Sequence, residues 1–343
     1  MKIIFFPEGD IKNAASRYRV YNLEQYLRDD FETDILVSPA TSPPPTPFHL
    51  KIRYPIYLLS RIFKGLMAGE NDILFVQRGE YLMGTLKLNK ILKKLNKKII
   101  FDIDDATFLF NSKVYEMFKI ADVVFVGSHF LMRVAEKFNN TVFLIPTSIS
   151  TEKYHVKKHV KKNEIIIGWI GSPSTIRYLD LIKNPLEELG NRHTIKFVVV
   201  GANKVEDDVP KIKNVNMEIK EWGLGTEWED IKSFDIGVMP LLDGDWERGK
   251  CAFKAMQYMV LGIPAVCSSV GEANHLINNG SNGFLCADEK EWVDSLDELI
   301  IDPGLRTEIG HAGRKKIEQE YDTSKTAKKI RDIIKSEFGD NTS

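Results

Sequence analysis

Four features that would point to particular protein classes are scarce or missing in this chain. It has three cysteines in 343 residues, Cys251, Cys267 and Cys286, with no CxxC and no Cys/His ligand spacing. A disulfide framework and a structural zinc site are excluded on that count, and a reducing cytoplasmic setting is expected. An excess of one charge is missing too: 47 basic against 48 acidic residues leave a net charge of -1, which gives no bulk attraction to nucleic acid. Long apolar runs are absent. The stretch after Met1-Lys2 is cut by Pro7, Glu8 and Asp10, too soon for a signal peptide. The uncharged stretch 255–271 is broken by Gly262-Ile263-Pro264, so no membrane span is expected. No GxGxxG follows an apolar run, which argues against a dinucleotide dehydrogenase.

What remains is an alternation of short apolar runs with helical periods. Runs at 2–6, 32–38, 72–78, 98–104, 122–128 and 141–147 read as strands, with a helix over 14–28 and a Pro-rich loop at 39–47. Consecutive apolar residues fit strands buried on both faces of a parallel sheet. The pattern restarts at 164–171 and continues through 195–201, 214–220, 235–240 and 264–269. The expected fold is α/β, with two Rossmann-like doubly wound domains, 1–147 and 148–322, facing a central cleft. A basic joint lies between them near 147–163. In such sheets ligands bind at the carboxyl ends of strands, so the informative residues should lie in loops that follow strands.

The segment 244–286 carries the sharpest pattern. Taken as a helix, 250–260 places Lys250, Lys254 and Gln257 on one face and Phe253, Met256 and Val260 on another. A helix N-terminus with two lysines on its first turns suits a diphosphate without a metal; a solvated lysine face is the plainer alternative. Asp102, Asp104 and Asp105 in FDIDDATF invite comparison with the DxDxT phosphatase motif, but Thr107 falls one place late. Helix capping or salt bridging is the plainer reading of these carboxylates. Arg17 and Arg19 open the first helix and face an acceptor, the donor phosphates or solvent. Trp222 is either a base-stacking platform or a core tryptophan. Residues 50–67 mix large apolar side chains with Lys51, Arg53, Arg61 and Lys64. They suit a membrane surface or a helix packed on the first sheet.

FKAMQYMVLGIPAV (253–266), SSVGE (268–272) and NNGSNGFLC (278–286) resemble the donor-binding core of retaining GT-B glycosyltransferases, whose helix reads roughly LEAMAxGxPVV. IPTSISTEKY (145–154) is similar to that family's interdomain joint, and 121–138 to the strand and helix before it. The resemblance implies transfer from a nucleotide-sugar donor to a glycan or lipid-linked acceptor, with retention, without metal and without a resident cofactor. It also implies a C-terminal helix, about 323–338, crossing back to the first domain, and a cytoplasmic enzyme, at the inner membrane face if 50–67 rests there. The implied catalytic set is Glu247, Lys250, Lys254 and Asp104. The implied donor set is Gly171, Ser172, Ser174, Thr175, Trp222, Arg248, Gly249, Gly271 and Glu272. The family's usual glutamate pair would fall on Trp246 and Lys254, and this departure keeps two alternatives open: a silent nucleotide-sugar-binding subunit, or a GT-B epimerase or hydrolase.

Overall fold

A computed structural model describes residues 1–39, 53–78, 85–203 and 208–339. Most of the Pro-rich loop, Lys51 and the start of the 50–67 stretch lie outside the described residues. The chain divides into two compact units. The first comprises Met1–Ser148, Gly249–Cys251 and Thr323–Ser343; the second comprises Ile149–Arg248 and Ala252–Asp322.

The first unit holds a parallel sheet of β1 (Lys2–Phe6), β2 (Glu32–Ile35), β3 (Ile73–Gln77), β4 (Lys98–Ile103), β5 (Val123–Val126) and β6 (Val142–Leu144), ordered β2-β1-β3-β4-β5-β6. Alternate residues point to opposite faces. Ile3, Phe5, Phe75, Ile100 and Phe125 pack against Val20, Leu23 and Leu27 and against Ala327, Ile330 and Ile334 of the last helix, Thr323–Phe338. The helices Tyr54–Met67, Thr85–Lys94 and Lys113–Ile120 form a separate row of neighbours, with Arg61 stacked on Phe6 of β1.

The second unit repeats the architecture with β7 (Ile165–Ile170), β8 (Ile195–Val200), β9 (Asn216–Lys220), β10 (Ile236–Met239), β11 (Ala265–Ser268) and β12 (Phe284–Cys286), ordered β12-β11-β10-β7-β8-β9. The sequence reading missed β12, whose three residues are too few to show a run. The basic stretch at 151–162 is strapped along this unit. Lys157 and Lys162 both reach Asp235, at 2.9 and 2.8 Å, and Arg314 donates to the carbonyls of Thr151, Tyr154 and Val260. Lys162, Lys157 and the Ile166 N–H outweigh the effect of burial and hold the Asp235 carboxyl below its usual range.

Two expectations are overturned here. The helix at 250–260 begins only at Phe253, because Ala252 has φ 52° and ψ 29°, a left-handed turn that no helix continues through. Lys250 and Lys254 therefore share no helical face, and Gln257 is buried. The helix ends as expected, where Gly262 takes φ 69°. The first helix, in turn, is widened by a π turn at Arg17–Tyr21, and neither of its arginines faces solvent. Arg19 is fully buried. Its Nε and Nη2 donate to both oxygens of Asp102 at 2.8 and 2.5 Å, and its Nη1 donates to the Ile145 carbonyl at 2.9 Å. It is a structural clasp between the first helix and the sheet, and not a ligand for acceptor or phosphate.

Burial opposes charge on Arg19, but Asp102 more than offsets it and the guanidinium is held firmly cationic. Truncating one partner of such a pair strands the other. Arg19→Met is expected to lower unfolding free energy by about 3–5 kcal/mol, and adding Asp102→Leu to recover most of that loss. Urea denaturation of both variants checks this; equal stability of the two would contradict it.

Candidate functional site

In a parallel sheet whose strand order reverses, the loops on either side of the reversal turn to opposite faces and leave a crevice at the carboxyl edge. In the second unit the reversal lies between β7 and β10, and the loops after those strands carry most of the expected donor set.

After β7 come Gly171, Ser172, Ser174 and Thr175. The hydroxyls of Ser172 and Ser174 lie 3.0 Å apart at the surface, while Thr175 donates to the Ser172 carbonyl at 2.8 Å and is buried. The next turn brings Arg177 and Tyr178. After β10, the short helix Asp245–Arg248 presents Glu247, whose side chain is largely buried. The Tyr178 hydroxyl donates to Glu247 Oε1, and Arg177 Nη2 lies 3.5 Å from the same oxygen. The two loops are thus joined across the reversal. Burial, with the Glu247 carboxylate beside it, raises the Tyr178 phenol above its usual range, so the hydroxyl keeps its proton and remains a donor at neutral pH.

Arg248 turns back to its own loop, with Nε 2.7 Å from Asp243 Oδ1 and Nη1 3.3 Å from Asp245 Oδ1. After β11, Gly271 has φ 57°, and a Cβ there would stand 2.8 Å from the Arg248 carbonyl. Only glycine allows both the turn and the contact. Glu272 follows it and is buried. Lys254, on the first turn of Phe253–Val260, holds its ammonium 5.6 Å from the Trp169 ring centroid, and no side chain caps that helix. Trp222, after β9, is half-buried against the unit's core. Its Nε1–H donates to Glu227 Oε2 at 2.7 Å and its backbone N–H to Asn203 Oδ1 at 2.9 Å.

The first unit has its own reversal, between β1 and β3. Gln77 Oε1 there accepts from Ser16 Oγ at 2.8 Å and from the Glu8 N–H at 3.2 Å. Arg78, at φ 47°, binds Asp104 through Nε and reaches Asp105 Oδ2 at 2.5 Å and Glu8 Oε2 at 3.4 Å. A left-handed arginine is uncommon and marks a position held by its surroundings. Burial opposes its charge, but the three carboxylates raise it well above the usual arginine value. Burial conversely raises the Glu8 carboxyl despite Arg78. Lys250 belongs to this unit, 4.0 Å from Asp105 Oδ1. So does Gly249, where a Cβ would lie 2.6 Å from that of Ala106. Gly249 and Lys250 thus group with the first unit by their contacts. Arg17 is buried beneath its own turn, donating to the Ile11 carbonyl at 3.3 Å.

Sequence reasoning missed Arg78, Glu8 and Tyr178. A charged residue placed directly after an apolar strand, as in ILFVQR, was the available signal for Arg78. None existed for Tyr178, which looks like any aromatic in a helical period.

Residues 164–302 match the family model Glycosyl transferases group 1. Among curated proteins, the capsular polysaccharide biosynthesis glycosyltransferase CapM of Staphylococcus aureus is 22% identical over 179 residues, 50% of this chain and 45% of that protein. The chain thus matches a little under half the length of that relative. Among solved structures, a sucrose-phosphate synthase from Thermosynechococcus elongatus has a TM-score of 0.74 at 11% identity, covering 98% of both chains. HepE of Anabaena, in complex with UDP and glucose, has a TM-score of 0.68 at 12% identity over 98% of this chain and 99% of that one. TarM of Staphylococcus aureus, in a complex that includes UDP, has a TM-score of 0.61 at 17% identity over 81% of this chain and 58% of that one. The fold is that of these GT-B proteins.

Tyr178→Phe removes the hydrogen bond to Glu247 and leaves that carboxylate buried beside Arg177. A loss of about 1–3 kcal/mol in unfolding free energy is expected, read by urea denaturation. An unchanged midpoint would mean that the bond does not hold the two loops together.

Proposed function

Because residues 164–302 form a glycosyl transferases group 1 domain in a chain of GT-B fold, we propose that this protein transfers a sugar from a nucleotide-sugar donor to a glycan or lipid-linked acceptor. The observation that carries this reading is where the family match falls. It spans the whole second sheet and the loops at its carboxyl edge, including the pair of loops joined by Tyr178 and Glu247. HepE, TarM and the pneumococcal O-GlcNAc transferase GtfA are all solved in complexes that include UDP, so uridine diphosphate sugars are the first donors to test.

When a nucleoside diphosphate leaves the anomeric carbon, the sugar becomes oxocarbenium-like and negative charge builds on the departing phosphate. Groups that meet this charge as it grows lower the barrier. Lys254 and the uncapped N–H groups of its helix turn supply positive potential from one side. The turn Gly171–Thr175 offers backbone N–H groups and the hydroxyls of Ser172 and Ser174 from the loop after β7. Glu247, fixed by Tyr178 and Arg177, offers a carboxylate oxygen to the sugar hydroxyls. Transfer proceeds with retention, as the resemblance in the donor segment implies. A divalent ion is not needed in this scheme, since lysine and helix terminus do its electrostatic work. Asp104 and Asp105, the carboxylates of the DxDxT-like stretch, are already matched by Arg78.

Incubation with a panel of UDP-, GDP- and ADP-sugars and an acceptor mixture tests this. Transfer that persists in EDTA is expected. Lys254→Ala is expected to lower kcat/KM about ten- to a hundredfold with the fold intact, the loss of one charge-assisted phosphate contact. Near-normal turnover in that variant would remove Lys254 from the donor site, and loss of activity in EDTA restored by magnesium would replace the metal-free scheme.

A further inference from the structure

The helix Tyr54–Met67 is built the wrong way round for a helix covered only by water. Its inward side holds Tyr57, Arg61 and Gly65, all buried. Arg61 lies fully covered, its guanidinium 4.6 Å from the Phe6 ring centroid and its Nη2 3.3 Å from Asn89 Oδ1. A Cβ at Gly65 would stand 2.8 Å from Leu92 Cδ1 of the neighbouring helix Thr85–Lys94, so the two helices pack at closest approach. These contacts fix the rotation of the helix. Its outward side then displays Ile56, Leu59, Ile62, Phe63, Leu66 and Met67; of these Ile56, Leu59, Phe63 and Met67 are each between 65% and 69% exposed. Ile56, Leu59, Phe63 and Met67 are three or four residues apart, so they form one stripe, with Ile62 and Leu66 beside it. Ile91 and Leu95, exposed on and just beyond the neighbouring helix, extend the apolar surface. An exposed apolar surface of this size marks a docking face.

We infer that this face docks on an anionic lipid surface, with the helix lying in the plane of the interface. The charge around it selects that occupant. Arg53 at the helix start and Lys87 and Lys94 on the neighbouring helix are exposed beside the apolar residues. The nearby acids Asp34 and Glu116 are already bound by Lys64 and by Lys90; Glu70, past the helix end, is exposed. An apolar stripe flanked by lysine and arginine is the pattern of an interfacial helix, in which apolar burial and attraction to anionic headgroups add. A second copy of the chain, pairing the same face about a two-fold axis, would bring these cations against each other. No helix among the described residues is long and apolar enough to cross a membrane, so the contact lies on the surface. In a parallel α/β sheet each helix runs back from the carboxyl edge of the strands, so the Arg53 end of the stripe lies toward the edge of the first sheet that bears Glu8 and Arg78.

Sedimentation of the full chain with vesicles tests the inference without requiring turnover, so its outcome is independent of the donor reading. Vesicles of equal parts phosphatidylcholine and phosphatidylglycerol should carry the protein down, and pure phosphatidylcholine should carry much less. Leu59→Ser with Phe63→Ser, and separately Lys87→Glu with Lys94→Glu, should each weaken binding tenfold or more. Unfolding midpoints should stay unchanged, since all four side chains face outward. High salt should weaken the wild type. Absence of sedimentation, or binding that survives both double variants, would overturn the inference. So would a concentration-dependent dimer that Leu59→Ser with Phe63→Ser splits while vesicles bind nothing.

Discussion

Both halves of this protein depend on one constraint: charged groups at the carboxyl edge of a parallel sheet must be held where the strand order reverses. Loops on the two sides of a reversal leave toward opposite faces, so the sheet itself does nothing to join them. In the second unit the join is a tyrosine hydroxyl on a buried carboxylate, Tyr178 to Glu247, with Arg177 behind it. In the first it is one guanidinium, Arg78, shared among Glu8, Asp104 and Asp105. The join in the second unit fixes Glu247, the carboxylate that the proposed chemistry would use. Each join keeps a buried charge matched, which a low-dielectric setting demands.

The same demand explains why near-neutral composition hides so much structure. Arg19 is matched by Asp102, and Asp235 by two lysines of the strapped segment 151–162. A net charge of -1 sums over these pairs and reports none of them. The basic joint that looked like a linker in the sequence is basic because it lies against Asp235 and against carbonyls that need donors.

Eleven strands were legible in the sequence, the central ones most plainly, because a strand buried on both faces must be written as consecutive apolar residues, as in IKFVVV or KIIFF. What escaped reading were features set by single backbone dihedrals or by tertiary contact. Ala252 is a good helix former, and nothing in GKCAFKAM announces its left-handed turn; the lysine face drawn across it was an artefact of unbroken periodicity. A π turn likewise leaves no trace in the letters and carried Arg19 inward. In the candidate site, the residues of the turns at 171–175 and 271–272 were legible as loop chemistry, whereas the Tyr178–Glu247 bond joins positions far apart in sequence. For 54–67, the amphipathic character could be read, but which side faced outward could not: it required Arg61 on Phe6 and Gly65 on Leu92 to decide it.

The central claim is that a nucleotide sugar binds at the carboxyl edge of the second sheet, around the loops joined by Tyr178 and Glu247. Amide hydrogen exchange of the full chain, with and without the uridine diphosphate sugar that best raises its melting temperature, tests this most directly. The account predicts slowed exchange in 171–178, 244–248, 253–256 and 269–272. Protection confined to other segments, with these four unchanged at saturating donor, would contradict it.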